Sequence, residues 1–330
     1  MRSKSTVRIA GGIVIFICIA VLLLRTPVLF VPKTELPSSA DKPKATAEPD
    51  SNRLTFGVLY PTAHPFYESI TESIEEAAKP QSIRLVVKAP DEYNVERQIQ
   101  MMETMIKQKV NGIAIDPIDP NALTPLINKA VQEGIPVICF ESDAPQSRRL
   151  AYLGNDPFAE GNLMGKLIDR ELKGKGMILV EAGHRDSAGQ SRRLEGMLDY
   201  LSGRTDIQVL DTRYHTGLSE RAINNLEAMI DDHPHFDALV DVDWISSSSS
   251  IIVWKAQGLR RRAFAFGLTP EVKEAVINGQ ITSVVSQNED GWGTRIIELL
   301  RTASEGKSLP QQAEFGMQEV TGESLSKLKP

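Results

Sequence analysis

Cysteine is nearly absent from this chain, with two residues in 330, and positive charge is in deficit, with 37 Lys and Arg against 43 Asp and Glu. Cys18 lies in an N-terminal apolar run and Cys139 in an expected buried strand, a placement that argues against a disulfide between them. Neither a CxxC pair nor a Cys/His zinc spacing occurs. A net charge of −6 argues against a nucleic-acid backbone as partner. A G-x-S-x-G elbow is also missing, and Gly174-Lys-Gly176 precedes an expected strand instead of following one, so it is no phosphate or dinucleotide loop. Glu141 and Asp143, two residues apart at one strand end, cannot flank a glycosidic bond as a catalytic pair. His233-Pro-His235, beside Asp231 and Asp232, reads as a helix-to-strand loop before it reads as a metal site. The expectation is a protein with no catalytic residues, no metal and no cofactor.

What the chain does have is strict alternation of strands and helices. Residues 112–115 and 135–140 are continuous apolar runs, the mark of strands buried on both faces of a parallel sheet. Between them Leu123, Ile127, Ala130 and Val131 recur at helical spacing, and Gly134 follows as a C-terminal cap. Both strands of this βαβ unit end in acidic, turn-forming residues: Asp116-Pro-Ile-Asp119-Pro and Glu141-Ser-Asp143-Ala-Pro. Asp-Pro there can simply break a strand and cap a helix, yet ligands of open α/β sheets bind just beyond the strand C-termini. Strands are further expected at 54–59, 83–87, 177–180, 209–212, 238–242 and 263–266. Helices are expected over 192–201, 220–230, 247–256 and 270–277, with earlier ones striped by Phe66, Ile70, Ile74 and Ala77 and by Val95, Ile99, Met102 and Ile106. The length and alternation predict an α/β chain of two doubly wound parallel-sheet lobes.

An unbroken apolar run from Ile9 to Leu24 follows Arg2, Lys4 and Arg8, which predicts a cytoplasmic N-terminus and a globular part outside. The small residues of a signal cleavage site do not follow the run closely, and Ala45-Thr-Ala47 lies far downstream. Residues 28–31 can lengthen the run to a span. The expectation is a single-pass cell-membrane anchor in residues 1–31, followed by a Pro- and Ser-rich tether over residues 32–52.

A family resemblance rests on short segments in order: Tyr60-Pro-Thr-Ala-His-Pro-Phe-Tyr67, Asp116-Pro, Glu141-Ser-Asp143-Ala-Pro145, Leu153-Gly-Asn-Asp156, Arg193-Leu-Glu-Gly196 and Ser286-Gln-Asn-Glu-Asp-Gly291. From about residue 54 onward the chain resembles type I periplasmic binding proteins, the ribose-binding-like sugar receptors of ABC importers. The resemblance implies a three-crossing hinge near Asn155, Gln287 and Gly316. Lobe one would then span residues 53–155 and 288–316, and lobe two residues 156–287 and 317–330. It also implies a sugar or polyol held between the lobes, with an ABC permease as partner in the same membrane. A membrane histidine kinase is the alternative partner.

Ligand contacts are expected from Tyr60, His64, Phe66, Tyr67, Glu141, Ser142, Arg193, Asp243 and Gln287, which supply aromatic faces and bidentate polar groups. This chain departs from the family pattern where His64 replaces an Asn, Glu141-Ser142 replaces Asp-Arg, and Ala265-Phe266-Gly267 replaces Gly-Phe-Asp. Asp243 is expected to compensate for the carboxylate missing at Gly267; the alternative is that it merely caps the helix entering the serine run of residues 246–250, where Ser246 is itself a good cap.

Overall fold

A computed structural model describes residues 53–185 and 187–327. The expected anchor and tether lie outside the described residues, as does Cys18. Among the described residues no helix is long and apolar enough to cross a membrane.

The first half runs β1 (Thr55–Leu59), α1 (Pro65–Ala78), β2 (Arg84–Lys88), α2 (Val95–Lys107), β3 (Gly112–Ile115), α3 (Pro120–Gln132), β4 (Val137–Phe140) and β5 (Ala151–Leu153). After α4 (Pro157–Leu172) come β6 (Lys175–Ala182), α5 (Ala188–Arg204), β7 (Asp206–Tyr214), α6 (Ser219–Asp232), β8 (Ala238–Asp241), α7 (Trp244–Gln257), β9 (Arg262–Phe266), α8 (Pro270–Ile277) and β10 (Ser283–Ser286). The chain ends with α9 (Trp292–Ser304), β11 (Gln312–Ala313), β12 (Gln318–Thr321) and α10 (Gly322–Lys327).

Two six-stranded sheets result, in the orders β2-β1-β3-β4-β5-β11 and β7-β6-β8-β9-β10-β12, all parallel except the β10–β12 pair. Both are doubly wound sheets that reverse direction once, between β1 and β3 in the first and between β6 and β8 in the second. The loops on either side of such a switch point diverge and leave a crevice at the strand C-termini. The chain passes between the sheets three times, after β5, after β10 and after β11.

The central strands of each sheet are buried on both faces, which is why β3, β4 and β8 are almost wholly apolar, while the outer strands β2 and β7 carry exposed polar residues. In the first sheet, Phe56, Val58 and Ile138 face one layer of helices while Ile113, Ile115 and Val137 face the other. Cys139 is free and buried in β4, where it packs as a small apolar side chain. Asn94, Asp119, Asp156 and Thr269 cap their helices by accepting backbone N–H bonds, and Gly134 takes a φ of +83° just past α3.

Helices α4 and α5 cross closely in the second lobe, and two glycines permit it. A Cβ on Gly161 would stand 1.9 Å from the Arg193 carbonyl oxygen, and one on Gly196 would stand 2.1 Å from that of Phe158. Gly203, on the same helix as Gly196, has nothing within 4 Å of its own Cβ position. Gly196→Ala should therefore lower stability by about 1–3 kcal/mol through overpacking, while Gly203→Ala should raise it by roughly 0.5–1 kcal/mol through helix propensity. Urea titration of both variants checks the pair, and equal effects would mean the crossing is not tight.

Candidate functional site

The loops beyond the strand C-termini of the two lobes face each other across a cavity of about 580 Å³. Its first-lobe wall comes from Tyr67 at the start of α1, Tyr93 after β2, Asp116 after β3, and Glu141 and Ser142 after β4. Its second-lobe wall comes from His184 after β6, Gln190 and Arg193 on α5, and Trp244 at the start of α7.

On the first-lobe wall, the Tyr67 hydroxyl donates to Asp116 Oδ2 at 2.6 Å while its ring stacks on Tyr60 at 4.6 Å. Gln98, fully buried, donates to the carbonyls of Tyr60 and Asp116 and so ties the ends of β1 and β3 together. Burial pushes the Asp116 carboxyl up to about 6, against the opposing pull of its bonds to Tyr67 and Ser142. Glu141 has φ +56°, a left-handed conformation that an unbranched non-glycine residue adopts only when its surroundings hold it there. The holding contacts are visible: its N–H donates to the Leu153 carbonyl at 3.1 Å, and its own carbonyl accepts from the Tyr152 hydroxyl at 2.8 Å.

Arg193 is the cation of the site. Its Nε donates to Glu160 Oε2 at 3.0 Å, its Nη1 to the Val242 carbonyl at 3.1 Å, and its Nη2 to Glu141 Oε1 at 3.3 Å. The guanidinium also lies 3.5 Å from the centre of the Phe266 ring. Burial alone would favour the neutral form, but the two glutamates keep this arginine charged. Glu141 belongs to the first lobe, so the Arg193–Glu141 pair spans the cleft. Burial drives the Glu141 carboxyl up to about 8 despite that pairing. Glu160 Oε1 accepts in turn from Gln287 Nε2 at 2.7 Å and from Asn155 Nδ2 at 3.1 Å.

Of the nine expected contact residues, Tyr67, Glu141, Ser142 and Arg193 line the cavity. Arg193 lies in the second turn of α5, since that helix begins at Ala188. The other five are placed behind or beside the cavity. Tyr60 bonds Thr71 at 2.9 Å behind Tyr67. His64 caps α1, its Nδ1 accepting from the Phe66 N–H, and burial lowers its pKa to about 4, so it is neutral. Phe66 stacks on Trp244 at 5.3 Å with planes 6° apart, which leaves no room for a ring between them. Gln287 is turned inward to Glu160.

Asp243 corrects a sequence expectation. It, and not Ser246, caps α7, accepting from the N–H groups of Ile245 and Ser246 and from the Ser246 hydroxyl. His215 Nε2 lies 3.0 Å from the same carboxylate, and because His215 Nδ1 accepts from the Gly217 N–H, Nε2 carries the proton and donates. Burial opposes ionisation, but these donors hold the Asp243 carboxyl below the usual range. Its acceptor capacity is already used, so it offers little to a ligand. Tyr93, His184 and Gln190 are cavity residues that sequence reading missed. The first two sit in loops and the third at a helix start, with no periodicity to mark them. Among the described residues no group of three or more His, Cys, Asp or Glu side chains is placed to hold a metal ion.

The periplasmic binding protein domain matches residues 56–308. The chain belongs to the periplasmic binding protein family. Its two lobes have the type I, ribose-binding-like arrangement. It is 22% identical over 251 residues to the D-galactose/methyl-galactoside binding periplasmic protein MglB of Haemophilus influenzae, covering 67% of this chain and 72% of that one. It is 25% identical over 195 residues to a xylitol-binding protein of Mycolicibacterium smegmatis, covering 59% of this chain and 55% of that one. The fold is similar to that of an ABC transporter solute binding protein of Burkholderia graminis in complex with D-arabinose. The TM-score there is 0.79 at 21% identity, over 86% of this chain and 100% of that one.

Beneath the second-lobe wall, Glu181 and Asp241 end adjacent strands in register and are fully buried. Glu181 Oε1 accepts from Asn225 and Asp241 Oδ2 from Ser250, while Glu181 Oε2 and Asp241 Oδ1 have no partner among the described residues. Burial raises the Glu181 pKa from 4.5 to about 9. Folding thus binds a proton that the unfolded chain releases above its own pKa. The stabilisation is complete below about pH 4.5 and falls by about 1.4 kcal/mol per pH unit as pH rises toward 9. Glu181→Gln should remove this share, so between pH 5 and pH 8 the urea midpoint of the parent should fall relative to that of the variant. Parallel lines would show that Glu181 does not retain a proton on folding.

Proposed function

We propose that this protein captures a sugar or polyol between its two lobes without catalysing a reaction, closing on it by a hinge at the three crossings and presenting it to an ABC-type importer. The observation that carries this reading is the cavity itself. Two sheet switch points face each other across about 580 Å³, within the roughly 300–1,000 Å³ of small-molecule sites. Its walls combine the rings of Tyr67, Tyr93 and Trp244 with the polar groups of Asp116, Ser142, Gln190 and Arg193. Rings suit the apolar face of a sugar, and fixed polar groups suit its hydroxyls. The sugar- and polyol-binding relatives, and the solute binding protein of an ABC transporter that shares the fold, support the same reading.

Calorimetry against a panel of neutral sugars and polyols should find a ligand, and Trp244→Ala should weaken it about tenfold through lost ring contact. Small-angle scattering should show the protein becoming more compact at saturation, since only a ligand that touches both lobes can favour the closed form. Binding of amino acids or nucleosides, with silence toward every sugar and polyol, would overturn the assignment.

The cellular placement belongs to the same proposal. The apolar run over residues 9–24 serves as an uncleaved anchor, with the binding lobes on the outer face of the membrane. Mass spectrometry of the mature protein should recover its N-terminal segment. A mature start near Glu48 would mean cleavage and a freely released receptor.

A further inference from the structure

The charge of the cavity is one-sided. Asp116, Asp119, Glu141 and Asp143 line it, while among the described residues Arg193 is the sole lysine or arginine in its lining. Two of these acids are already occupied. Asp143 is held by the Nε and Nη2 of Arg149, and Asp119 caps α3. Arg193 is likewise committed, because Glu160, 1% exposed and outside the cavity lining, takes its Nε and Nη2. With that pair neutral, the buried Asp116 and the partly exposed Glu141 remain as two first-lobe carboxyls without a cation of their own. Among the described residues no protein group donates to Glu141 Oε2.

A carboxylate in such a place is stable only if it is paired or protonated. Burial raises both groups, Asp116 to about 6 and Glu141 to about 8, so at neutral pH Glu141 follows the second course while Asp116 is largely ionised and stands without a cation. A neutral sugar hydroxyl can hydrogen-bond to them but brings no charge. An ammonium brings three donors and the missing cation, and the rings of Tyr67, Tyr93 and Trp244 around it add cation–π attraction.

We propose that the preferred ligand is a polyhydroxylated ring or chain carrying a protonated amine, an amino sugar or amino polyol, with its ammonium seated between Glu141 and Asp116. This rests on the carbohydrate reading and narrows it. Arg193 faces the same cavity from the other lobe through its contact with Glu141, so an ammonium at Glu141 Oε2 also completes the cross-cleft pair instead of competing for it.

The test is calorimetry on the full chain at pH 7 with six probes: D-glucosamine and D-galactosamine, each beside its neutral parent sugar and its N-acetylated derivative. The expected result is that at least one amine binds tenfold or more tightly than both of its uncharged counterparts. In Glu141→Gln and Asp116→Asn, each checked for folding by circular dichroism, that ratio should shrink several-fold. Parent sugars that bind as tightly as their amines would overturn the inference and leave the sugar-receptor reading standing, and so would a ratio unchanged in both variants. Silence toward all six probes overturns the inference too, and the receptor reading is then decided by the wider neutral panel.

Discussion

Glu160 is the carboxylate on which the rest of the arrangement depends. From the first turn of α4 it collects Asn155 and Gln287 on one oxygen and Arg193 on the other. Asn155 belongs to the first crossing between the lobes and Gln287 to the second, and Asn155 also donates to the Gly316 carbonyl of the third at 3.1 Å. One buried anion therefore fixes the relation of the hinge segments and the aim of the cleft's cation together. Such a group is costly to desolvate and is tolerated only because nearly every lone pair is used. Removing one partner of a buried pair of this kind costs about 3–5 kcal/mol, more than any surface ion pair contributes.

The same geometry bears on the proposed closure of the cleft. The contacts that span it include Arg193 with Glu141, Trp244 with Phe66, Tyr67 and His64, and Tyr93 with His184. The Phe66–Trp244 stack holds the lobes at van der Waals distance on one side of the cavity, while the acidic first-lobe wall and α5 bound the other. A ligand in the cavity adds contacts to both lobes without having to displace the stack. Its differential affinity for the closed form then adds to a small pre-existing set of cross-cleft contacts, which is what shifts a two-state equilibrium.

The fold was legible where strands were buried on both faces. Residues 112–115 and 135–140 read as strands because nothing polar interrupts them, and β3 and β4 lie within them. β5, β11 and β12 are three, two and four residues long and lie toward the edges of their sheets, where neither length nor periodicity gives a signal. The site was half legible, because strand ends can be found in a sequence but side-chain direction cannot. Asp116 and Glu141 end strands and reach the cavity. Asp243 also follows a strand, yet the start of α7 takes its carboxylate. Tyr93 and His184 meet at 5.6 Å across the cleft only because β2 and β6 bring their loops together, a relation between residues 91 positions apart that local pattern does not encode.

Gly267 shows how the acidity of the second lobe is spent. The sequence has no carboxylate there, and the backbone gives one reason: φ is +81°, a region glycine occupies freely and aspartate does so only with strain. A Cβ built on it would come within 3.9 Å of Glu289 Oε1, so a carboxylate does stand beside this position, supplied from the return crossing. That carboxylate is turned toward the protein, accepting from the N–H groups of Leu268 and Gln287 and from the Ser286 hydroxyl. Glu160 is bound to Arg193, Asp243 to His215 and a helix start, and Glu181 to Asn225. The carboxylates of this lobe near the cleft therefore serve its own architecture, in capping, hinge and core. Among the described residues, the carboxyls left to meet a ligand are those of the first lobe, at the ends of β3 and β4. On the proposed reading recognition is asymmetric: the first lobe supplies negative charge and the second supplies a compensated cation and an indole face, so a ligand with distinct polar ends would have one way to lie in the cleft.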